Sequence, residues 1–226
     1  MRKVFHVKPE PLSDPELDPT PEVAREIFGT HLSVAVAYHR SLASDGAQRG
    51  FIGPREVPRL WERHILNCAV IAEAMPEKAS VVDVGSGAGL PGIPLAIARP
   101  QLQITLIEPL LKRSTYLQEI VSELGLKNVS VIRGRAEDKA VRFKASGADI
   151  VTSRAVAPLG KLCGWSLPLV RRGGMMVAMK GSSVTEEIER DAKAIRNAGG
   201  GAPEVVQVGG KYLSQATTLV RIPRVR

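Results

Sequence analysis

Cysteine is nearly absent from this chain. Its two cysteines in 226 residues, Cys68 and Cys163, sit in apolar surroundings with no C-x-x-C spacing and no neighbouring histidine cluster. That excludes a disulfide framework and a thiolate metal site and leaves two reduced core thiols, so no metal is expected. Long apolar runs are missing too. No stretch approaches the ~18 to 20 residues a transmembrane helix requires. The basic start, MRKVFHVK, runs straight into PEPLSDPELDPTPE without the apolar segment of a secretory signal. A cytoplasmic protein with no membrane partner is the expectation. Aromatic residues make up only 4% of the chain, and Trp61 and Trp165 read as core or edge residues, not as platforms for stacked bases. No internal repeat is visible.

What is present suffices for a real core. A hydrophobic share of 44% over 226 residues fits one large domain, or one domain with an extension. Charge is one-sided: 31 Lys and Arg against 23 Asp and Glu give +8 at pH 7, and the isoelectric point is near 9.8. Such a balance suggests a polyanionic partner. Cations including Arg59, Arg63, Arg133, Arg135, Arg154 and Lys180 recur along the chain, several beside predicted strand ends. Guanidinium groups bind phosphate bidentately and stack on bases. The plain alternative is a solvated surface that keeps the chain soluble.

The run VVDVGSGAGLPGIPLAIA, Val81 to Ala98, carries the most information. A short buried-strand pattern turns through Gly85, Gly87 and Gly89 into an apolar helix, with Pro94 in its first turn; glycines there permit positive φ and close approach of a ligand to the backbone. Glu108 ends the next apolar run, QITLIE, where a ribose sits in a doubly wound fold. Gly87, Gly89 and Gly92 also satisfy the dinucleotide pattern G-x-G-x-x-G with an acid about 20 residues on, so spacing alone does not choose the cofactor. Asp83, two residues before the first glycine, does choose. A carboxylate where a pyrophosphate would dock repels phosphate, whereas the sulfonium and ammonium of S-adenosylmethionine favour it.

Residues 1 to about 19 read as a proline-rich flexible tail. Helical spacing of Val23, Ile27, Leu32, Val34, Val36 and Leu42 follows, opened by Thr20 as cap with Pro21 at the first helical position. A second helix, about 59 to 74, puts Leu60, His64, Cys68 and Ile71 on one stripe. From residue 80, strands at 80–85, 103–108, 129–133, 148–153 and 174–179 alternate with helices at 92–98, 110–124, 158–170 and 184–197. That alternation dictates an α/β fold, a Rossmann-like doubly wound parallel sheet with helices on both faces. Runs 204–208 and 217–222 read as a hairpin placing an antiparallel strand at one side. The resulting division is a tail (1–19), a helical extension (20–76) and a main domain (77–226).

Two further segments fall at the carboxyl edge of this sheet, where ligands bind in such folds. Ala136 and Glu137, in RGRAED after the third strand, can flank an adenine; a charged turn that only solvates the strand end is an equal reading of this segment alone. Arg154, in DIVTSRA, ends the fourth strand at the switch point, the place for an acceptor, although an ion pair with Asp83 or Glu137 would also account for it. No cysteine stands in this loop to attack a pyrimidine, and no Asn/Asp-Pro-Pro-aromatic run holds an exocyclic amine. Guanine N7, a ring nitrogen with a lone pair and no proton, suits such a loop, since its methylation needs only positioning. His64, alone on a helix, reads as a packed or capping residue.

Together WERHILN (61–67), VDVGSGAGLPGIPLAI (82–97), LLKRSTYL (110–117), GRAED (134–138), SRAVAPL (153–159) and MKG (179–181) resemble, in order, the RsmG or GidB family of bacterial 16S ribosomal RNA guanine-N7 methyltransferases. Asn67 and Tyr116 depart from it, standing where the family pattern has Asp and Phe. The resemblance implies a class I methyltransferase fold, S-adenosylmethionine as donor and 16S rRNA as partner; the limited footprint of one domain adds the expectation of RNA within a small-subunit particle, and a monomer is expected. By position it implies cofactor contacts at Gly85, Gly87, Gly89, Leu90, Glu108, Ala136, Glu137 and Arg154, with Arg154 also organising catalysis. A small-molecule methyltransferase and a non-catalytic RNA-binding assembly factor stay open; the basic charge opposes the first and the intact glycine loop the second.

Overall fold

The structure, a computed structural model, describes residues 18–154 and 157–226. Most of the expected tail therefore lies outside the described residues. Seven strands form one sheet in the order β3-β2-β1-β4-β5-β7-β6: β1 (Ser80–Val84), β2 (Gln103–Glu108), β3 (Val129–Arg133), β4 (Ala148–Arg154), β5 (Val170–Met179), β6 (Glu204–Val208) and β7 (Thr217–Pro223). β1 through β5 pair in parallel, and β7 inserts antiparallel between β5 and β6. The expected C-terminal hairpin is therefore present, with β7 inside the sheet and β6 at its edge.

Side-chain alternation sorts the sheet's two faces. Val81, Ile104, Leu106, Ile150, Val177 and Leu219 face one apolar cluster with α4 (Gly92–Ala98) and α5 (Leu111–Glu123). Their neighbours Val82, Val84, Ile107 and Val151 face the opposite side, under α6 (Lys139–Ala145). Beyond them Met176, Ala178, Val220 and Ile222 pack with α7 (Leu159–Ser166) and α8 (Val184–Asn197).

The N-terminal segment belongs to the first cluster. Ala24, Phe28, Ala35, Tyr38, Leu42, Leu60, Trp61 and Ile65 are buried in the same core as β1 and β2. Its helices are broken where the periodicity predicts two continuous ones. α1 (Glu22–Phe28) and α2 (Leu32–Ser41) are joined by a 3₁₀ turn, and π-helical turns run over Leu42–Gly46 and Leu60–Leu66, the second leading into the single turn α3 (Asn67–Ala69). The wider π repeat still buries Leu60, His64, Cys68 and Ile71. Thr20 does not cap: Pro21 is the cap residue and no side chain bonds there.

Three other expectations shift. The helix α6 was not foreseen, because KAVRFKA buries only Val141 and Ala145 and leaves Phe143 91% exposed. β5 begins at Val170, ahead of Arg171-Arg172-Gly-Gly, and an irregular register carries this turn-like tetrapeptide inside the strand. α7 ends at Ser166, and its last turn tightens into 3₁₀ over Leu167–Leu169.

Candidate active site

β1 lies between β2 and β4, so the loops that leave these strands meet at one edge. Gly85, Gly87 and Gly89 all take left-handed φ, at 73, 59 and 101°. Gly87 and Gly92 then diverge in role. A Cβ on Gly87 would meet only the Gly85 carbonyl at 4.0 Å, so this glycine faces open space. One on Gly92 would lie 2.3 Å from Leu106 Cδ2, so this glycine lets α4 sit against the sheet.

Glu108, 2% exposed, braces the loop. Its Oε2 accepts from the Gly87 N–H at 2.9 Å and its Oε1 from the Leu110 N–H at 3.0 Å. Each oxygen keeps a lone pair for another donor. The Glu108 carbonyl accepts from Gly134 N–H at 3.2 Å, drawing the loop after β3 to the same place. There the Ala136 side chain is buried and Glu137 is exposed, its carboxylate 4.0 Å from Arg135. Among the described residues nothing accepts from the N–H groups of Ala136 and Glu137. Leu90 is buried as well, its N–H donating to the Ser86 carbonyl at 2.9 Å.

Asp83 does not face the rim as its position suggests. It is fully buried; its Oδ2 accepts from the Gly92 N–H at 3.0 Å, at the start of α4, while Oδ1 has no partner among the described residues. Burial pushes its carboxyl up to about 7. Asp83 opposes a pyrophosphate from inside the fold, because the amide at the head of α4 is already taken by its carboxyl.

Arg154 ends β4, whose Ser153 hydroxyl donates to the Val84 carbonyl at 2.9 Å and so fastens this corner beside the glycine loop. Its guanidinium pairs with neither Asp83 nor Glu137. Nη2 meets His64 Nδ1 at 2.7 Å, and Nη1 reaches the Arg63 carbonyl at 3.4 Å and Cys68 Sγ at 3.6 Å. The other ring nitrogen, Nε2, lies 2.7 Å from Glu56 Oε2. A guanidinium only donates, so Nδ1 must be bare and Nε2 must carry the proton given to Glu56. Burial, then the nearby Arg154, hold the imidazole below its usual range, in keeping with a neutral ring. The hydrogen bond from His64 lowers Glu56. Cys68, beneath, is raised to about 11 by burial and stays a thiol.

Past Arg154 opens a cleft of about 1170 Å³ between the N-terminal segment, the end of β5 and the start of β7. Arg59, Arg63, Arg154 and Lys180 line it against Glu56 and Glu62. Both carboxylates are engaged, Glu56 by Arg63 at 3.1 Å and by His64, Glu62 by the Ser214 hydroxyl. Lys180 pairs with Glu187 at 2.7 Å, and Glu187 and Asp191 accept from the first two amides of α7. Arg59 is exposed and outside any ion pair among the described residues. The cleft thus keeps positive character.

Sequence reasoning places the glycines, Glu108, Ala136, Glu137 and Arg154 along this edge, and the structure brings them together. It missed Glu56 and the use made of His64. Eight residues separate the two, and they meet because Arg59 leaves helical geometry, at φ −123° and ψ 11°, between a 3₁₀ and a π segment. No periodicity announces that bend; only WERHILN marked the region.

Among solved structures, a SAM-dependent O-methyltransferase from Thermotoga maritima superposes with TM-score 0.54 at 14% identity, over 76% of this chain and 71% of that one. M. jannaschii TYW2, in complex with AdoMet, gives 0.51 at 22% identity over 69% and 73%. These likenesses show a class I methyltransferase fold. Proteins named ribosomal RNA small subunit methyltransferase G are similar in sequence: 70% identity with that of Corynebacterium efficiens over 91% of this chain and 88% of the relative. The Rhodococcus jostii protein of that name is 57% identical over 98% and 97%. A family model described as GidB, rRNA small subunit methyltransferase G, matches residues 31–215, and with these relatives it shows that the chain belongs to the GidB family.

Proposed function

We propose that this protein transfers a methyl group from S-adenosylmethionine to N7 of a guanosine in 16S ribosomal RNA. The observation that carries the reading is one shared sheet edge: the glycine loop and Glu108 follow β1 and β2, and Arg154, at the end of β4 beside β1, lines a cationic cleft large enough for a nucleotide. S-adenosylmethionine, when bound, supplies an electrophilic methyl on sulfur. The residues present fit it. Gly87 turns open space toward the ligand, Glu108 keeps acceptor capacity for ribose hydroxyls, and the Ala136 and Glu137 amides are available to an adenine. Gly85, Gly89 and Leu90 shape the same cradle, their amides bonded to the Ile107 and Ser86 carbonyls.

Guanine N7 attacks with its own lone pair, so the N7–methyl bond forms as the sulfur–methyl bond breaks and its electrons stay on sulfur. No proton moves, and no general base is needed. The chain's part is alignment and exclusion of water, with Arg154 organising the point where cradle and cleft meet. In this reading residues 77–226 are the methyltransferase domain and 20–76 an extension that walls the cleft. Each chain completes its own site, in keeping with a monomer, and works in the cytoplasm on RNA within a small-subunit particle. A small-molecule acceptor fits less well, since the cleft offers cations and width where a compact substrate calls for enclosure.

Transfer of labelled methyl from S-adenosylmethionine to purified small-subunit particles lacking the modification tests this. Label in 16S rRNA, falling steeply with added salt as phosphate contacts require, is the expected result. Label confined to small molecules, or none, refutes it.

A further inference from the structure

We propose that His64 is the positioning residue for Arg154: its bare Nδ1 holds the guanidinium at the junction of cradle and cleft, and Glu56 on Nε2 fixes the tautomer that can do so. The inference rests on the reading that Arg154 works in the transfer site. The geometry supports it from three sides. Two contacts of 2.7 Å run in series, Glu56 to His64 to Arg154. The histidine is 9% exposed and is supplied by the N-terminal segment, whereas Arg154 ends β4. The remaining Arg154 contacts, to the Arg63 carbonyl and Cys68 Sγ, are longer, at 3.4 and 3.6 Å. Without His64 the fork loses its only short partner among the described residues.

This arrangement works in one protonation state. A proton on Nδ1 removes the acceptor and sets an imidazolium against a guanidinium, so acid releases Arg154. The charged and titratable groups around the pair are Glu56 and Arg63 on the same segment, Cys68 on the next turn, and Asp83 and Tyr38 toward the sheet. Glu56 favours protonation of the ring; burial, Arg154 and Arg63 oppose it. Arg154 is thus fully held near neutrality and let go as pH falls below the ordinary imidazole value of 6.5. Base-free chemistry at N7 has no acid limb of its own in that range, so a limb there reports a protein group, and its loss on substitution of His64 identifies the holder.

Single-turnover methyl transfer to small-subunit RNA, followed from about pH 5 to 8 in the full chain, reads this out. Asn places a non-titrating Oδ1 where the Nδ1 acceptor was; Gln keeps a group toward Glu56 and loses the acceptor. The unsubstituted protein is expected to lose rate on acidification, and His64→Asn to keep most of its neutral rate with no acid limb. His64→Gln should fall about tenfold at pH 7.5, the loss of one charge-assisted hydrogen bond. An acid limb that persists in His64→Asn belongs to another group, Asp83 foremost, and overturns the proposal, as does full activity in His64→Gln. If His64→Gln does not fold, the paired profiles of the parent and His64→Asn decide alone. Arg154→Ala separates the two levels. Near-normal transfer in that variant sinks the role of Arg154 itself, whereas its inactivity beside a fully active His64→Gln sinks only the role of His64.

Discussion

A guanidinium held by several acceptors at once does what an ammonium cannot. Arg154 sends Nη2 to His64 and Nη1 to the Arg63 carbonyl and Cys68, a planar fork spread over the N-terminal segment. Arg154→Ala should lower single-turnover methyl transfer about 100-fold or more, and Arg154→Lys should recover little, because a point charge cannot copy the fork. Circular dichroism and melting should stay close to the parent. An Ala variant with near-normal turnover would remove Arg154 from the mechanism. Asp83 poses the opposite problem, a carboxyl kept from water. Burial lifts it from 3.8 to about 7, so the folded chain binds a proton that the unfolded chain has lost between those values. Its stabilising contribution is complete below pH 3.8 and fades as pH rises toward 7. Asn at this position is neutral throughout and has no such fade. Relative to the parent, Asp83→Asn should therefore gain on the order of 4 kcal/mol between about pH 4 and pH 8 in urea denaturation. An offset independent of pH would mean that Asp83 is ionised in the fold.

The loop from β1 to α4 uses its glycines for two different ends, and substitutions separate them. Gly92→Ala drives a methyl to 2.3 Å from Leu106 Cδ2 and 2.9 Å from Asp83 Oδ2, an overpacking that should cost about 1 to 3 kcal/mol of stability. At Gly87 a Cβ meets no atom nearer than 4.0 Å, yet the residue sits at φ 59°, and Gly87→Val puts a branched side chain where a ligand approaches. Titration calorimetry should find S-adenosylmethionine binding abolished in Gly87→Val and largely kept in Gly92→Ala, with melting ranking the two the other way. Equal binding in both would move the cradle elsewhere. The strands and α4 and α8 were legible because alternation and glycine punctuation are local signals. α6, with two buried residues, gave no amphipathic pattern strong enough to read. The π turn over Leu60–Leu66 was hidden for another reason: a repeat wider than 3.6 still buries the same stripe, so periodicity cannot tell the two helices apart.

Across the whole molecule the N-terminal segment is built into the core and reaches the candidate site. Its apolar residues share one core with β1 and β2, and its Glu56 and His64 reach the end of β4. Much of the candidate site was readable, since Gly87, Glu108 and Arg154 stand at strand ends that topology brings to one edge. The direction of Arg154 was not, because it depends on a bend at Arg59 and a partner ninety residues away in sequence. A net charge of +8 acts at this scale too, favouring an extended polyanion over a compact substrate. Among the described residues, no helix is long and apolar enough to cross a membrane. The most direct test of the account is mass spectrometry of digested 16S rRNA from cells with and without this protein. One guanosine methylated at N7 in the first and unmethylated in the second is the predicted result. An identical methylation pattern in both, or a difference at a site other than guanine N7, would contradict it.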